Sequence, residues 1–361
     1  MRSSRDLASR ARRWPAALAL ALLLPLAGCA TGADSGPGGD PSATGTGTGS
    51  ATATGPGTGP GGGTATGTAA PAPEVRGQLR ADDRTRRYLL HRPAATDDPK
   101  PLLIAFHGRG ADAAELREKS RLERAATARG MLVAFPEGLD HGWGAGTRAT
   151  KQRPDPGLDV RFTEALIKHL VRTEHADPER VYATGFSNGG SMALRMAAER
   201  PDLLAGAVSV SGQLPAGDAA VKPTGPLPVM VVYGADDPVR PLAGWPSPPP
   251  DPEEPILPSL SARDTAAAFA AAGGAGKPVA REEKGYDRTV WRLKDAAPEE
   301  DSTAAATGAA AGAATVQLLV VHDAGHTWPG STVPPPDGFG PVSKALDATG
   351  TLLDFLTGSG R

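Results

Sequence analysis

Arg180-Val-Tyr-Ala-Thr-Gly-Phe-Ser-Asn-Gly-Gly-Ser191 is the stretch on which the reading of this chain turns. Arg180 to Thr184 reads as a buried strand. Gly185-Phe186-Ser187-Asn188-Gly189 is a G-x-S-x-G pentapeptide. From Ser191 to Arg200, Met192, Ala193, Met196 and Ala197 recur at helical spacing, and Pro201 stops the helix. A strand, a sharp turn and a helix with serine at the apex lift a hydroxyl to where a base can reach it, as a weak nucleophile requires. Gly185, Gly189 and Gly190 let helix and strand approach closely. A Gly-rich turn in an ordinary α/β protein satisfies the same pattern, so the rest of the chain has to supply a base, an acid and an anion-stabilising loop.

Ahead of this stretch the chain changes character twice. Arg2, Arg5, Arg10, Arg12 and Arg13 form a positive segment, followed by an apolar run from about Trp14 to Ala27. That run is shorter than the ~20 residues of a bilayer span and fits an export signal. It ends in Leu26-Ala27-Gly28-Cys29, which resembles a bacterial lipobox. Residues 1–28 therefore read as a lipoprotein signal peptide. Cys29, the single cysteine of the chain, reads as the lipidation site and membrane anchor, with cleavage and release as the rival. No second cysteine exists to build an internal disulfide. Residues 29–73 are Gly, Thr, Ala, Ser and Pro with almost no large apolar side chain, a flexible tether of roughly 35–40 Å reach.

Residues 74–361 read as one α/β domain. Strands are expected at Arg86–Arg92, Pro101–Phe106, Met131–Phe135, Ala205–Ser211, Pro228–Tyr233, Arg288–Leu293 and Thr315–Val321. Helices are expected at Ala111–Arg129, Asp159–Thr173, Ser259–Ala272 and Lys344–Leu356. Alternation of the two predicts a mostly parallel, doubly wound sheet flanked by helices. Pro241–Pro258 is a proline-rich excursion, and residues 295–314, acidic and then Ala/Gly-rich, read as a disordered insert. The formal net charge of −2 comes without a basic stripe, which excludes nucleic acid as a partner.

His107-Gly108, Ser187, Asp237 and His326 each lie at or just past the C-terminal end of an expected strand, where an open parallel sheet places its ligand cleft. Ser, then acid, then His is the chain order of the α/β-hydrolase triad. Gly185-Phe-Ser-Asn-Gly-Gly190, Gly234-Ala-Asp-Asp-Pro-Val239 and Gly325-His-Thr-Trp-Pro-Gly330 resemble the polyhydroxybutyrate depolymerase / feruloyl esterase group of secreted esterases, over nearly all of Pro101 to Leu356. The resemblance implies an α/β-hydrolase fold and carboxylic ester hydrolysis by a Ser-Asp-His triad. It departs from that group in lacking its cysteines and in the 295–314 insert.

The reaction then distributes roles. Ser187 attacks the carbonyl, His326 carries the proton, and Asp237 orients the imidazole. The oxyanion hole takes the backbone N–H groups of Arg109 and Asn188. His322 is a rival for His326, although it still lies in the strand's apolar run; Asp236 is a rival for Asp237, which the family spacing to Val239 favours. His107 reads as a structural support of the oxyanion loop. Trp143 and Trp328 read equally as packing or as contacts to an aromatic or acyl group of the substrate. His91, His141, His169 and His175 show no ligand spacing, so neither metal nor cofactor is expected. The expected partners are a small or oligomeric ester and, through Cys29, a membrane. Acyl transfer to an alcohol, or a silent binding lipoprotein on the same fold, are the rival functions. Neither the ester nor the oligomeric state is readable.

Overall fold

Apolar runs too long and too uniform to face water on either side build the centre of this molecule. The structure is a computed structural model that describes residues 74–151, 153–248, 256–294 and 315–358. The expected signal peptide 1–28, the tether 29–73 with Cys29, and the 295–314 insert lie outside the described residues.

Ten strands form one sheet: β1 (Val75–Ala81), β2 (Arg84–His91), β3 (Lys100–Phe106), β4 (Leu132–Pro136), β5 (Ala176–Phe186), β6 (Gly206–Val210), β7 (Val229–Gly234), β8 (Val279–Glu283), β9 (Tyr286–Arg292) and β10 (Thr315–Val321). Their spatial order is β1-β2-β4-β3-β5-β6-β7-β10-β9-β8. The central strands from β4 to β10 are parallel, and antiparallel pairs close each edge. The helices are α1 (Ala113–Ser120), α2 (Leu122–Thr127), α3 (Leu158–Glu174), α4 (Asn188–Glu199), α5 (Ala262–Ala272) and α6 (Ala348–Gly358).

Side chains alternate between two cores, as the two-residue period of a strand demands. In β3, Leu102, Ile104 and Phe106 join a layer that includes Phe162 and Leu166 of α3, Met192 of α4 and Phe269 of α5. Leu103 and Ala105 join the opposite layer, with Leu116 of α1, Leu122 of α2 and Leu352 of α6. Both faces are covered, so the central strands read as continuous apolar runs. Burying one Leu or Phe fully is worth about 1.5–3 kcal/mol, which is how α3 holds a face of Phe162, Leu166, Ile167 and Leu170 against the sheet.

The mostly parallel sheet flanked by helices is as expected; several boundaries are not. The helix expected over Ala111–Arg129 is broken at Arg121, which takes φ 55 between α1 and α2. Asp112 starts α1 with a capping box to Glu115. The closing helix starts at Ala348 rather than Lys344, because Asp347 caps it by accepting the Thr349 N–H (3.2 Å). β1 and β8 are additions at the two edges. Each reads as polar in sequence because only one partner strand shields it.

The strand order reverses direction at β3 and β5: β3 leads outward to β4, β5 leads the other way to β6. The crevice outside the carboxyl ends of such a pair is where open sheets bind ligands. The opposite end of the sheet carries different traffic. β1 is antiparallel to β2 and β2 to β4, so β1 runs parallel to β4 and Glu74 enters at the end away from the crevice. Thr315, the first residue of β10, is at that same end, paired with Arg292.

Candidate active site

The junction of β5 and α4 sets Ser187. Its backbone sits at φ 55, ψ −116, a sparsely populated region that costs on the order of 1–3 kcal/mol for a non-glycine residue. The strain is held because the Ser187 N–H donates to Val210 O (2.8 Å) and its carbonyl accepts the Ser191 N–H (2.9 Å). Glycine is required on both sides. A Cβ at Gly185 would lie 2.4 Å from the Gly189 carbonyl carbon, and one at Gly189 would lie 2.1 Å from Phe106 O.

Two turns bring the partners to the serine. The turn after β7 presents Asp237, and the turn after β10 presents His326. They are tied together: Asp236 N–H donates to Ala324 O (3.0 Å), and a Cβ on Gly234 would sit 2.3 Å from Gly325 O. The His326 N–H donates to Phe339 O (2.7 Å), so a third segment braces the same turn. The Ser187 hydroxyl lies 2.8 Å from His326 Nε2. His326 Nδ1 lies 2.7 Å from Asp237 Oδ2, and Asp237 Oδ1 accepts the N–H groups of Val239 (2.9 Å) and Arg240 (2.7 Å). Burial pushes the His326 pKa down against the opposing pull of Asp237. A neutral imidazole with its proton on Nδ1 is the form that can accept a proton from a hydroxyl.

These groups open into a cavity of about 540 Å³. One wall is the loop after β4. The Asn188 side chain accepts the Trp143 N–H (2.7 Å) and donates to Trp143 O (3.0 Å), and the Trp143 indole N–H donates to His107 O (3.0 Å). Behind this wall, Asp159 accepts from Arg86 (2.9 Å), Arg153 (3.0 Å) and the Gly144 N–H (2.7 Å). Arg195 donates to the carbonyls of Gly144, Gly146 and Pro156. His107 is a fixed post: Gly138 N–H donates to its Nε2 (3.0 Å), which places the ring proton on Nδ1, facing Gly108 O (2.8 Å). Burial lowers its pKa as well.

Ser187, His326 and Asp237 thus meet in one hydrogen-bonded row, and Arg109, Asn188 and Trp143 line the same cavity. Trp328 corrects an expectation. It lies in the core, with its indole N–H on Thr349 Oγ1 (3.0 Å), and is not among the residues lining the cavity. The rivals point elsewhere: His322 is half-exposed beside Asp287 (3.2 Å), and Asp236 is exposed. Sequence reasoning missed Phe339, Trp245, Lys119 and Arg240, all on the cavity wall. Arg240, three residues past Asp237, was within reach of a local argument; Phe339 carries no local signal.

Comparison with known proteins returns esterases. A Phospholipase/Carboxylesterase family model matches residues 159–244. The chain is 42% identical over 284 residues to the "Putative esterase NocK" of Nocardia uniformis subsp. tsuyamanensis, covering 76% of this chain and 80% of that protein. It is 30% identical over 148 residues to Feruloyl esterase B of Piromyces equi, covering 39% of this chain but 27% of that protein. It is 31% identical over 168 residues to Feruloyl esterase C of Emericella nidulans, covering 44% of this chain and 57% of that protein. Among solved structures, an acetyl xylan esterase from Aspergillus awamori superposes with a TM-score of 0.48 at 14% identity, over 77% of this chain and 99% of that one.

Proposed function

The chain belongs to the feruloyl esterase-like family of α/β-hydrolase esterases, and on that premise we propose that it cleaves carboxylic esters through an acyl-enzyme on Ser187. The hydrogen-bonded row Ser187–His326–Asp237, at 2.8 and 2.7 Å, carries this reading. Ser187 Oγ adds to the ester carbonyl while its proton passes to His326 Nε2. The imidazolium so formed is stabilised by Asp237 and returns the proton to the leaving alcohol oxygen. Water then repeats the addition on the acyl-enzyme, with His326 again as base. The oxyanion is received by backbone N–H groups of Asn188 and Arg109. Asn188 is the first residue of α4, so its N–H has no partner within the helix. The bidentate bond of the Asn188 side chain to Trp143 supports the orientation of that N–H. Feruloyl-, acetyl- and hydroxyalkanoate-type esters are the substrate classes proposed. The aromatic rings of Phe186, Trp143, Trp245 and Phe339 on the wall favour an aryl or medium acyl group.

Incubation with a fluorophosphonate probe is expected to label Ser187, and Ser187→Ala to abolish both labelling and p-nitrophenyl acetate hydrolysis. Labelling that survives in the folded variant would sink the assignment. The reading of residues 1–73 adds export and lipid anchoring at Cys29, since two or more acyl chains anchor stably where one does not. Cys29→Ser is expected to move the protein out of the membrane fraction or to stall its processing; unchanged retention with normal processing rules the anchor out.

A further inference from the structure

The cavity wall carries two cations, Lys119 and Arg240, that form no ion pair among the described residues. Lys119, in the last turn of α1, places its ammonium 4.5 Å from the centre of the Phe186 ring. Arg240 lies beyond the acid turn and donates from Nη1 to Ser191 Oγ (3.2 Å), one helical turn past Ser187. Both line the cavity, and among the described residues neither forms an ion pair. Two other cations on that wall are matched: Arg148 faces Asp218 (3.3 Å) and Arg153 faces Asp159 (3.0 Å). Glu115 attracts Lys119 and Asp237 attracts Arg240, but burial outweighs both attractions. Glu115 is exposed and engaged in the α1 capping box, and Glu118 is exposed.

Leaving a guanidinium and an ammonium partly desolvated and unpaired is unfavourable unless something else neutralises them. Burial pushes the pKa of each group down, which an arriving anion would reverse. Both groups stand beside the reacting residues. The Phe186 ring under Lys119 is 5.0 Å from the His326 ring. The backbone N–H of Arg240 holds Asp237, while its side chain turns to the cavity.

We propose that this cavity selects esters that bear a carboxylate, on the acid or on the alcohol part, with Arg240 and Lys119 receiving that anion. The inference rests on the ester-cleaving reading and narrows its substrate class. Arg240 offers a planar fork that pairs bidentately with a carboxylate, and Lys119 offers a point charge over an aromatic face. A carboxylate placed against either is worth roughly ten- to a hundredfold in kcat/KM, the range of a hydrogen bond to a charged group.

The test compares two matched pairs of esters with the full-length protein in detergent. On the acid side, p-nitrophenyl hydrogen glutarate is set against p-nitrophenyl valerate. On the alcohol side, 4-acetoxybenzoate is set against 4-acetoxybenzamide. The anionic member of at least one pair is expected to win by about tenfold or more in kcat/KM. Arg240→Met or Lys119→Met is expected to bring that ratio close to one, and the pair affected shows which part of the ester each cation receives. A readout without variants is inhibition: benzoate is expected to compete with substrate more strongly than benzamide. Equal rates within both pairs, equal inhibition by benzoate and benzamide, or a preference that survives in both folded variants would overturn the proposal while leaving ester cleavage standing. Failure to cleave any of the four esters would overturn the ester-cleaving reading together with it.

Discussion

Asp159 and Asp237 are both buried carboxylates next to the cavity, at 0% and 7% exposure, yet their surroundings differ in kind. Asp159 accepts from two guanidiniums and one backbone N–H. Its counter-charges are permanent, and together they hold the loop that carries Trp143. Asp237 accepts from two backbone N–H groups and one imidazole. The partner it serves is a group whose charge comes and goes. A carboxylate locked between arginines has no work left to do beyond holding structure, whereas one that waits for a cation to form lowers the energy of the state in which it forms.

Three measurements can break or sharpen that contrast. The largest effect is expected at Asp237. Asp237→Asn leaves the imidazole poorly oriented and its cation unstabilised, at about 10⁴-fold in kcat, with little change in melting temperature. Asp236→Asn is expected to retain most of the activity; the reverse order of severity, in folded proteins, would move the acid by one position. Asp159→Asn is expected to do the opposite of Asp237→Asn. Unpairing buried guanidiniums costs about 3–5 kcal/mol, on the order of 10 °C in melting temperature. A stable Asp159→Asn protein would show that the loop is held by its other bonds alone. The smallest effect is in pH. His326 acts when neutral, and burial holds its pKa below the usual histidine value, so kcat/KM is expected to be retained through pH 6.5 and to fall only as pH drops past a lower midpoint. Linkage has a parallel sign: the unfolded state protonates His107 and His326 before the folded state does, so stability declines as pH falls below about 6.5. An acid limb above pH 7 would contradict the observed burial.

The contrast also separates what was readable in advance from what was not. Ser187 was readable because its placement is local: a β-strand, glycines that no Cβ can replace, and a helix with 3.6 periodicity are all contiguous. His326 and the pair Asp236-Asp237 were readable through chain order and strand ends, since a parallel sheet collects the residues at its carboxyl edge; the choice of Asp237 within that pair came from the family resemblance. Asp159 was not, because an aspartate at the start of an amphipathic helix looks like an ordinary helix-start residue, and Arg86 lies 73 positions away. Trp328 follows His326 by two residues, yet the turn sends it into the core, where Thr349 takes its N–H. Adjacent residues in a turn diverge, so proximity in sequence did not mean proximity to the cavity. β1 and β8 were missed because edge strands can be polar on their open side. Val279–Glu283, mostly exposed, has no apolar alternation to betray it.

Glu74 enters the sheet at the end opposite the crevice, and the chain rejoins β10 at Thr315 on that same end. Every chemical step described here takes place at the other end. The two ends of the sheet therefore divide the labour: the chain's entries at Glu74 and Thr315 lie at one, and the groups that face an ester lie at the other, so a change at either entry leaves the cavity wall untouched.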